Sequence, residues 1–187
     1  MEWHSQPNHL RAFYKTGPGA LAHVQDGGIK IAAFDLSKSG EIMPISGDDW
    51  MWLDGAIPAK LRELASQRYV VAIISNQYNI LFEAERLKGF MRQLDHMASE
   101  LDIVLALYVA ASLDECRKPG TALWDVLLAD CGVARDHRLA ESFYVGDAAG
   151  RVGDWAGTDS EFASNLGVAF YTPEEFFQLD VSSDEGG

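Results

Sequence analysis

Tyr69-Val70-Val71-Ala72-Ile73-Ile74-Ser75 runs through six apolar or aromatic residues before its first small polar one, with no alternation. A strand with one wet face alternates apolar and polar residues. A strand with none belongs to a sheet covered on both sides, as parallel sheets in α/β proteins are. Gly28-Ile29-Lys30-Ile31-Ala32-Ala33-Phe34-Asp35 has the same character, as do Ile103 to Val109, Phe143 to Gly146 and Gly167-Val168-Ala169-Phe170-Tyr171. Between these runs the apolar period lengthens. Residues 56–67 place Ile57, Leu61 and Leu64 on one helical face, with Pro58 in the first turn. Residues 81–100 read as a long amphipathic helix, and Thr121 to Cys131 as a helix around Leu123, Trp124, Val126 and Leu127. Thr172-Pro173-Glu174-Glu175 opens a short helix with a capping threonine, a first-turn proline and acids at the positive end of the dipole. Strand–helix alternation with short links predicts an α/β fold, a doubly wound parallel sheet with helices on both faces, over residues 28–179. Residues 1–27 read as an N-terminal extension packing on that domain, and 180–187 as a disordered acidic tail.

Charge and cysteine usage narrow the function classes. The chain has 187 residues, 48% of them hydrophobic, enough for one domain with a substantial core. Acidic residues outnumber basic ones 28 to 15, a formal net charge of -13. Such a field repels polyanions, so a nucleic acid would have to enter a local basic pocket, and overall affinity for it is expected to be weak. Cys116 and Cys131 stand apart without metal-ligand spacing and read as ordinary thiols of a reducing compartment. No apolar run approaches the roughly 20 residues of a membrane span, and the N-terminus has no secretory signal pattern. The expectation is a soluble intracellular protein that does not engage a membrane. His4, His9, His23, His96 and His137 show no ligand spacing. Trp50, Trp52, Trp124, Phe143 and Tyr144 read as packing residues rather than stacking platforms.

The chemistry collects at strand ends. In an α/β sheet the carboxyl edge is where ligands sit. The first strand delivers Asp35 there, the second Ser75-Asn76-Gln77, the third leads to Arg117-Lys118-Pro119, and the fourth delivers Asp147 with the small residues Ala148-Ala149-Gly150 behind it. A carboxylate nucleophile, a hydroxyl or amide for phosphoryl oxygens, a lysine for charge and a second carboxylate for Mg²⁺ make a kit for phosphoryl transfer. Each is weak alone, since polar strand ends are common. Their order at successive strand ends is the signal.

That order resembles the haloacid dehalogenase superfamily, with its Rossmannoid fold. Asp49-Trp50, Ser75-Asn76-Gln77, Arg117-Lys118-Pro119, Trp124-Asp125, Ser142 to Arg151, Phe162 to Gly167 and Thr172 to Phe177 are similar to the 3'-phosphatase domain of polynucleotide kinase/3'-phosphatase. The likeness runs from about residue 28 to residue 178, and no phosphate-loop motif of a kinase half is present. It implies removal of a 3'-phosphate from a nucleic-acid end with Mg²⁺ and an aspartyl-phosphate intermediate. By matching position, Asp35 is the nucleophile, Ser75 and Asn76 hold phosphoryl oxygens, Lys118 stabilises the phosphate, and Asp35 with Asp147 binds the metal. Arg117 and Arg151 are candidate substrate contacts.

The chain departs from the family at three places. Where the family reads Asp-Leu-Asp-Gly-Thr, this chain reads Asp35-Leu36-Ser37-Lys38-Ser39. The second aspartate of that motif protonates the leaving oxygen and later activates water. A serine hydroxyl cannot, and loss of a general acid/base costs about 10²–10⁴-fold in rate. The loop that follows is several residues short, and a lysine-rich insertion expected after Trp155-Ala156 is missing. Lys38 could pair with Asp35 and neutralise it. The expected function is therefore a catalytically impaired descendant serving as a binding or scaffold subunit with protein partners, and the alternative is a Mg²⁺-dependent polynucleotide 3'-phosphatase acting through an Asp35 aspartyl-phosphate. The departures favour the first; the retained strand-end residues favour the second.

Overall fold

The computed structural model describes residues 1–21, 28–36, 51–52, 54–135, 139, 141–154 and 156–178. The tail at 180–187, Trp50 and the Ser37-Lys38 segment, on which expectations above fall, lie outside the described residues.

The strand runs fold as the doubly wound pattern requires. Strands β3 (Ile31–Phe34), β4 (Val70–Asn76), β5 (Leu105–Ala110), β6 (Phe143–Val145) and β7 (Ala169–Tyr171) are parallel, in the spatial order β5-β4-β3-β6-β7. Strands β4 and β5 are buried along nearly their full length, and successive residues feed opposite faces. Val71, Ile73, Leu105 and Leu107 join one core with Leu61 of helix α1 (Ile57–Ser66) and Met97 of helix α2 (Ala84–Leu101). Ala72, Ile74, Ala106 and Tyr108 join the other with Trp124 of α3 (Ala122–Asp130) and Phe162 of α4 (Thr158–Leu166). A run apolar at every position is thus a strand serving two cores. Among the described residues, no helix is long and apolar enough to cross a membrane.

The N-terminus changes the expected sheet. Glu2–Ser5 (β1) and His9–Tyr14 (β2) pair antiparallel, and β2 lies antiparallel on β5. Among the described residues the sheet is therefore seven-stranded and mixed rather than wholly parallel. These residues do not merely pack on the domain; they extend its sheet. Their pattern is only half-buried, because β1 is an edge and β2 turns His9 and Arg11 toward a partly wet face. The hairpin is tied down by Arg11, whose guanidinium donates to Asp130 at 2.7 Å, while buried Tyr108 donates to the same carboxylate at 3.1 Å.

Helix α4 had no apolar run to announce it. It begins after Gly157 and stops at Gly167, which adopts the left-handed conformation with φ 69°. The short helix α5 (Pro173–Phe177) starts as its signals predict. Thr172 Oγ1 accepts from the Glu175 amide, and the Glu175 carboxylate accepts from the Thr172 amide at 3.0 Å, a capping box. The helix sets Phe176 and Phe177 against Phe34 and Phe143, with Phe143 and Phe176 centroids 4.9 Å apart. That aromatic packing anchors the end of β3, one residue before Asp35.

Candidate active site

The register of the sheet brings the two strand-end aspartates together. Phe34 pairs with Val145, and the Asp35 amide donates to the Val145 carbonyl at 2.8 Å. Asp35 and Asp147 therefore leave adjacent parallel strands at the same edge. Their carboxylates, with that of Asp159, have oxygens within 4.8 Å of one another. Asp35 and Asp147 thus present carboxylate oxygens close enough together for one cation to reach both.

Lys118 sits beneath them. Its side chain is 2% exposed, and Nζ donates to Asp35 Oδ1 at 2.6 Å, to Asp159 Oδ1 at 2.7 Å and to the Tyr144 hydroxyl at 2.6 Å. An ammonium has three protons, and here each has an acceptor. Tyr144 passes its own proton to the Ile74 carbonyl at 3.0 Å, which leaves its oxygen to receive from Lys118. Burial alone would depress the lysine, but Asp35 and Asp159 outweigh it and hold the ammonium above its ordinary value. The carboxylates answer in the opposite direction. Burial first, with Asp159 and Asp147 adding, pushes Asp35 up to about 6 against the pull of Lys118. Three carboxylates on one ammonium leave an excess of negative charge.

Asp159 is the counter-ion that holds the lysine. It is 1% exposed, and its second oxygen accepts from the Ala148 amide at 3.0 Å. Its carboxylate also lies against Gly146, where an added Cβ would stand 2.5 Å from Asp159 Oδ2. The glycine ahead of Asp147 is thus required by close approach, not by turn geometry. Asp35 and Asp147 are partly exposed and face the cleft.

Asn76 and Ser75 take up positions at the side. The Asn76 carboxamide accepts from the Lys118 amide at 3.0 Å and donates to the Lys118 carbonyl at 3.1 Å, clasping the loop that carries the lysine. Ser75 Oγ is buried, 3.4 Å from the Leu36 carbonyl, and accepts from Gln77 Nε2 at 3.1 Å. Arg117 lines the same cleft, of about 80 Å³, with Asp35, Ser75, Lys118 and Asp147. Its Nη1 is buried without a hydrogen-bond partner among the described residues. Arg151 stands elsewhere: half-exposed, it pairs with Asp154 at 3.1 Å and reaches Glu174 at 3.6 Å.

The donor set fits a hard divalent cation. Mg²⁺ prefers carboxylate oxygens, usually from one or two side chains, together with water and phosphate. Asp35 and Asp147 supply two such groups at the cleft, while Asp159 is committed to Lys118 and Ala148. Burial first and the neighbouring carboxylates second raise Asp35, and such an ion would relieve the second of these.

The family model for polynucleotide kinase 3 phosphatase matches residues 30–177, which include every one of these side chains. The chain belongs to that family. A bifunctional polynucleotide phosphatase/kinase of Schizosaccharomyces pombe is 38% identical over 154 residues, covering 79% of this chain and 37% of that protein. The chain thus spans little more than a third of the fission-yeast relative. A protein of Autographa californica nuclear polyhedrosis virus, described as an uncharacterized 20.8 kDa protein in the FGF-VUBI intergenic region, is 34% identical over 164 residues. That match covers 81% of this chain and 87% of the viral one. Among solved structures, D,D-heptose 1,7-bisphosphate phosphatase from B. bronchiseptica, complexed with magnesium and phosphate, superposes with a TM-score of 0.56 at 17% identity. The superposition covers 77% of this chain and 79% of that one. The shared fold is that of haloacid dehalogenase-like phosphatases.

Two members of this polynucleotide 3'-phosphatase-like site had escaped the sequence. Asp159 stands in the first turn of α4, where acids are common, and only its spacing of 12 residues from Asp147 across a glycine-bearing turn could have marked it. Tyr144 was read as core. It is core by burial and part of the site by its hydroxyl.

Proposed function

We propose that this chain binds a 3'-phosphorylated nucleic-acid end together with Mg²⁺ and retains polynucleotide 3'-phosphatase chemistry, slowed at its acid–base step. The observation that carries the reading is the gathering of Asp35, Asp147 and Asp159 within 4.8 Å of one another, above a buried lysine with all its protons engaged. Buried charges that pair with one another cannot be lost singly without about 3–5 kcal/mol, so the weight rests on Asp35 and Asp147, which are partly exposed and face the cleft.

The steps follow from the residues. An Asp35 carboxylate oxygen attacks phosphorus, a P–O bond to Asp35 forms, and the bond to the 3'-oxygen breaks. The 3'-oxygen leaves with the electron pair and takes up a proton. Water then opens the acyl phosphate, returning Asp35 and releasing inorganic phosphate. Lys118, held by Asp159 and Tyr144, offers fixed positive charge to the phosphoryl oxygens without having to reorganise. Arg117 brings a second cation to the cleft. Asp35 and Asp147 would hold Mg²⁺, which neutralises phosphate charge when bound. What is missing is a proton donor for the leaving oxygen, because Ser37 stands where the family has its second aspartate. The expected cost is about 10²–10⁴-fold in rate.

A second reading, a non-catalytic binding subunit, draws on Ser37 and on the net charge of -13. Single-turnover phosphate release from a 3'-phosphorylated oligonucleotide with Mg²⁺ separates the two. Slow release that Asp35→Asn abolishes supports the phosphatase. Mg²⁺-dependent binding of the 3'-phosphate without release supports the binding subunit. Neither binding nor release overturns the phosphatase and leaves a scaffold that engages protein partners.

A further inference from the structure

Tyr78 is an aromatic platform in the cleft whose ring makes no ring contact among the described residues. It follows β4 and lines the cleft with Asp35, Arg117, Lys118 and Asp147. Its ring is 44% exposed, and among the described residues its side chain has no hydrogen bond, ion pair or ring contact. Exposed tyrosines are common, but this one is held in place from both sides. Gln77 before it is buried, and its amide donates to the Ala110 carbonyl at 2.8 Å. Asn79 after it takes the left-handed conformation, φ 62°, and its amide donates to the Ala111 carbonyl at 3.1 Å. Ile80 beyond is fully buried. The backbone carrying Tyr78 is stitched to the continuation of β5, so the point from which the ring projects into the cleft is fixed.

Resting on the phosphatase reading above, we infer that Tyr78 stacks on the terminal nucleobase of a single-stranded 3'-phosphorylated end. A sugar alone separates a 3'-phosphate from its own base, and the platform lines the same cleft as the carboxylates and Arg117. Aromatic stacking tolerates any base and is a recurrent way of holding single strands. The global charge strengthens the choice. At -13 the protein repels a long polyanion, so affinity has to come from short-range contacts rather than from a basic surface. A paired and stacked duplex end would have to release its last base to reach Tyr78, which costs least in a strand already single.

The test compares two short single strands in Mg²⁺, at times short against turnover. One ends in a normal nucleotide 3'-phosphate, the other in an abasic tetrahydrofuran 3'-phosphate, each titrated against wild type, Tyr78→Ala and Tyr78→Phe. Wild type is expected to prefer the base-bearing end by roughly 5-fold or more. Tyr78→Ala should erase that preference and Tyr78→Phe keep it. No preference in wild type, or a preference that survives Tyr78→Ala, overturns the inference and leaves the phosphatase reading standing. Failure of both strands to bind, with no Asp35-dependent phosphate release, overturns the reading beneath it as well.

Discussion

On the floor of the cleft Lys118 gives each of its three protons to an acceptor, whereas one residue earlier Arg117 keeps a buried guanidinium nitrogen with none among the described residues. The floor is closed on itself: Asp35, Asp159 and Tyr144 saturate the lysine, Asn76 clasps its backbone, and Gly146 leaves room for Asp159. The rim, Arg117 and Tyr78, holds cation and aromatic surface that the described residues leave unengaged. Groups that satisfy one another contribute to the fold and cannot be removed singly without exposing a partner. Groups left waiting contribute little to the fold and act when a ligand arrives. The same cleft therefore has a structural half and a recognition half, and mutation should tell them apart.

The largest separation is expected from Lys118→Met against Arg117→Met, followed by denaturant unfolding in EDTA. Removing the lysine strands Asp35 and Asp159 in a buried site, a loss of about 3–5 kcal/mol. Removing the arginine takes out a cation whose buried Nη1 has no partner among the described residues, so it should cost little or stabilise. Equal losses would erase the distinction between floor and rim.

Next in size is a pH effect carried by Asp35, which titrates at about 6 in the fold against an ordinary 3.8. Between about pH 4 and 6 the folded protein keeps a proton that the unfolded chain has already released. The stability this proton contributes is complete below about pH 4 and is lost as pH rises through 6. Asp35→Asn removes the titration, so the difference in unfolding free energy between variant and wild type should shift in the variant's favour across that window. The difference is at most about 3 kcal/mol, at 1.36 kcal/mol per pKa unit. Mg²⁺ competes for the same carboxylate, so its stabilisation of wild type should be stronger at pH 7 than at pH 5. A difference that is flat with pH would place the strained carboxylate elsewhere.

Much of this floor could be read from the chain, and the reason is local. Asp35 and Asp147 terminate runs apolar enough to be parallel strands, so their arrival at one edge followed from the period alone. Lys118, four residues before α3, followed from the same alternation. What the period cannot encode is the partner across space. Asp159 carries the ordinary signature of a first-turn helix acid, and only the folded turn from β6 to α4 places it on Lys118. Asn76 was expected at a phosphoryl oxygen, yet its amide clasps the Lys118 backbone 42 residues on. The hairpin β1–β2 was missed because the edge strand β1 and its neighbour β2 are only partly buried, so neither shows a continuous apolar run.

Gly146→Ala probes how tightly the floor is packed. The added methyl would meet Asp159 Oδ2 at 2.5 Å and its Cβ at 2.8 Å, so retracting the carboxylate tip alone does not clear it. An overpacking loss of about 1–3 kcal/mol is expected by thermal or denaturant unfolding. A neutral outcome would mean that the turn relaxes freely, and the floor would be looser than its hydrogen bonds imply.

The smallest effect belongs to Tyr144→Phe, and it refines where the floor ends. The substitution leaves the ring and its contact with Phe162, whose centroid lies 4.9 Å away, and removes only the hydroxyl. Lys118 keeps Asp35 and Asp159 but has one proton without its acceptor, and the Ile74 carbonyl loses a donor. A buried donor left unmade costs about 1–3 kcal/mol. The lower end applies here, because two charged partners still hold the ammonium. Stability alone would not distinguish a site residue from a core residue, so affinity for inorganic phosphate in Mg²⁺ is measured beside it. With its third partner gone, the ammonium is less firmly fixed, and phosphate binding should weaken in Tyr144→Phe by more than in a core substitution of equal stability cost, such as Ile31→Val on the neighbouring strand. Matching phosphate affinities in the two variants would assign Tyr144 to the core alone and draw the boundary of the floor at Asp35, Lys118 and Asp159.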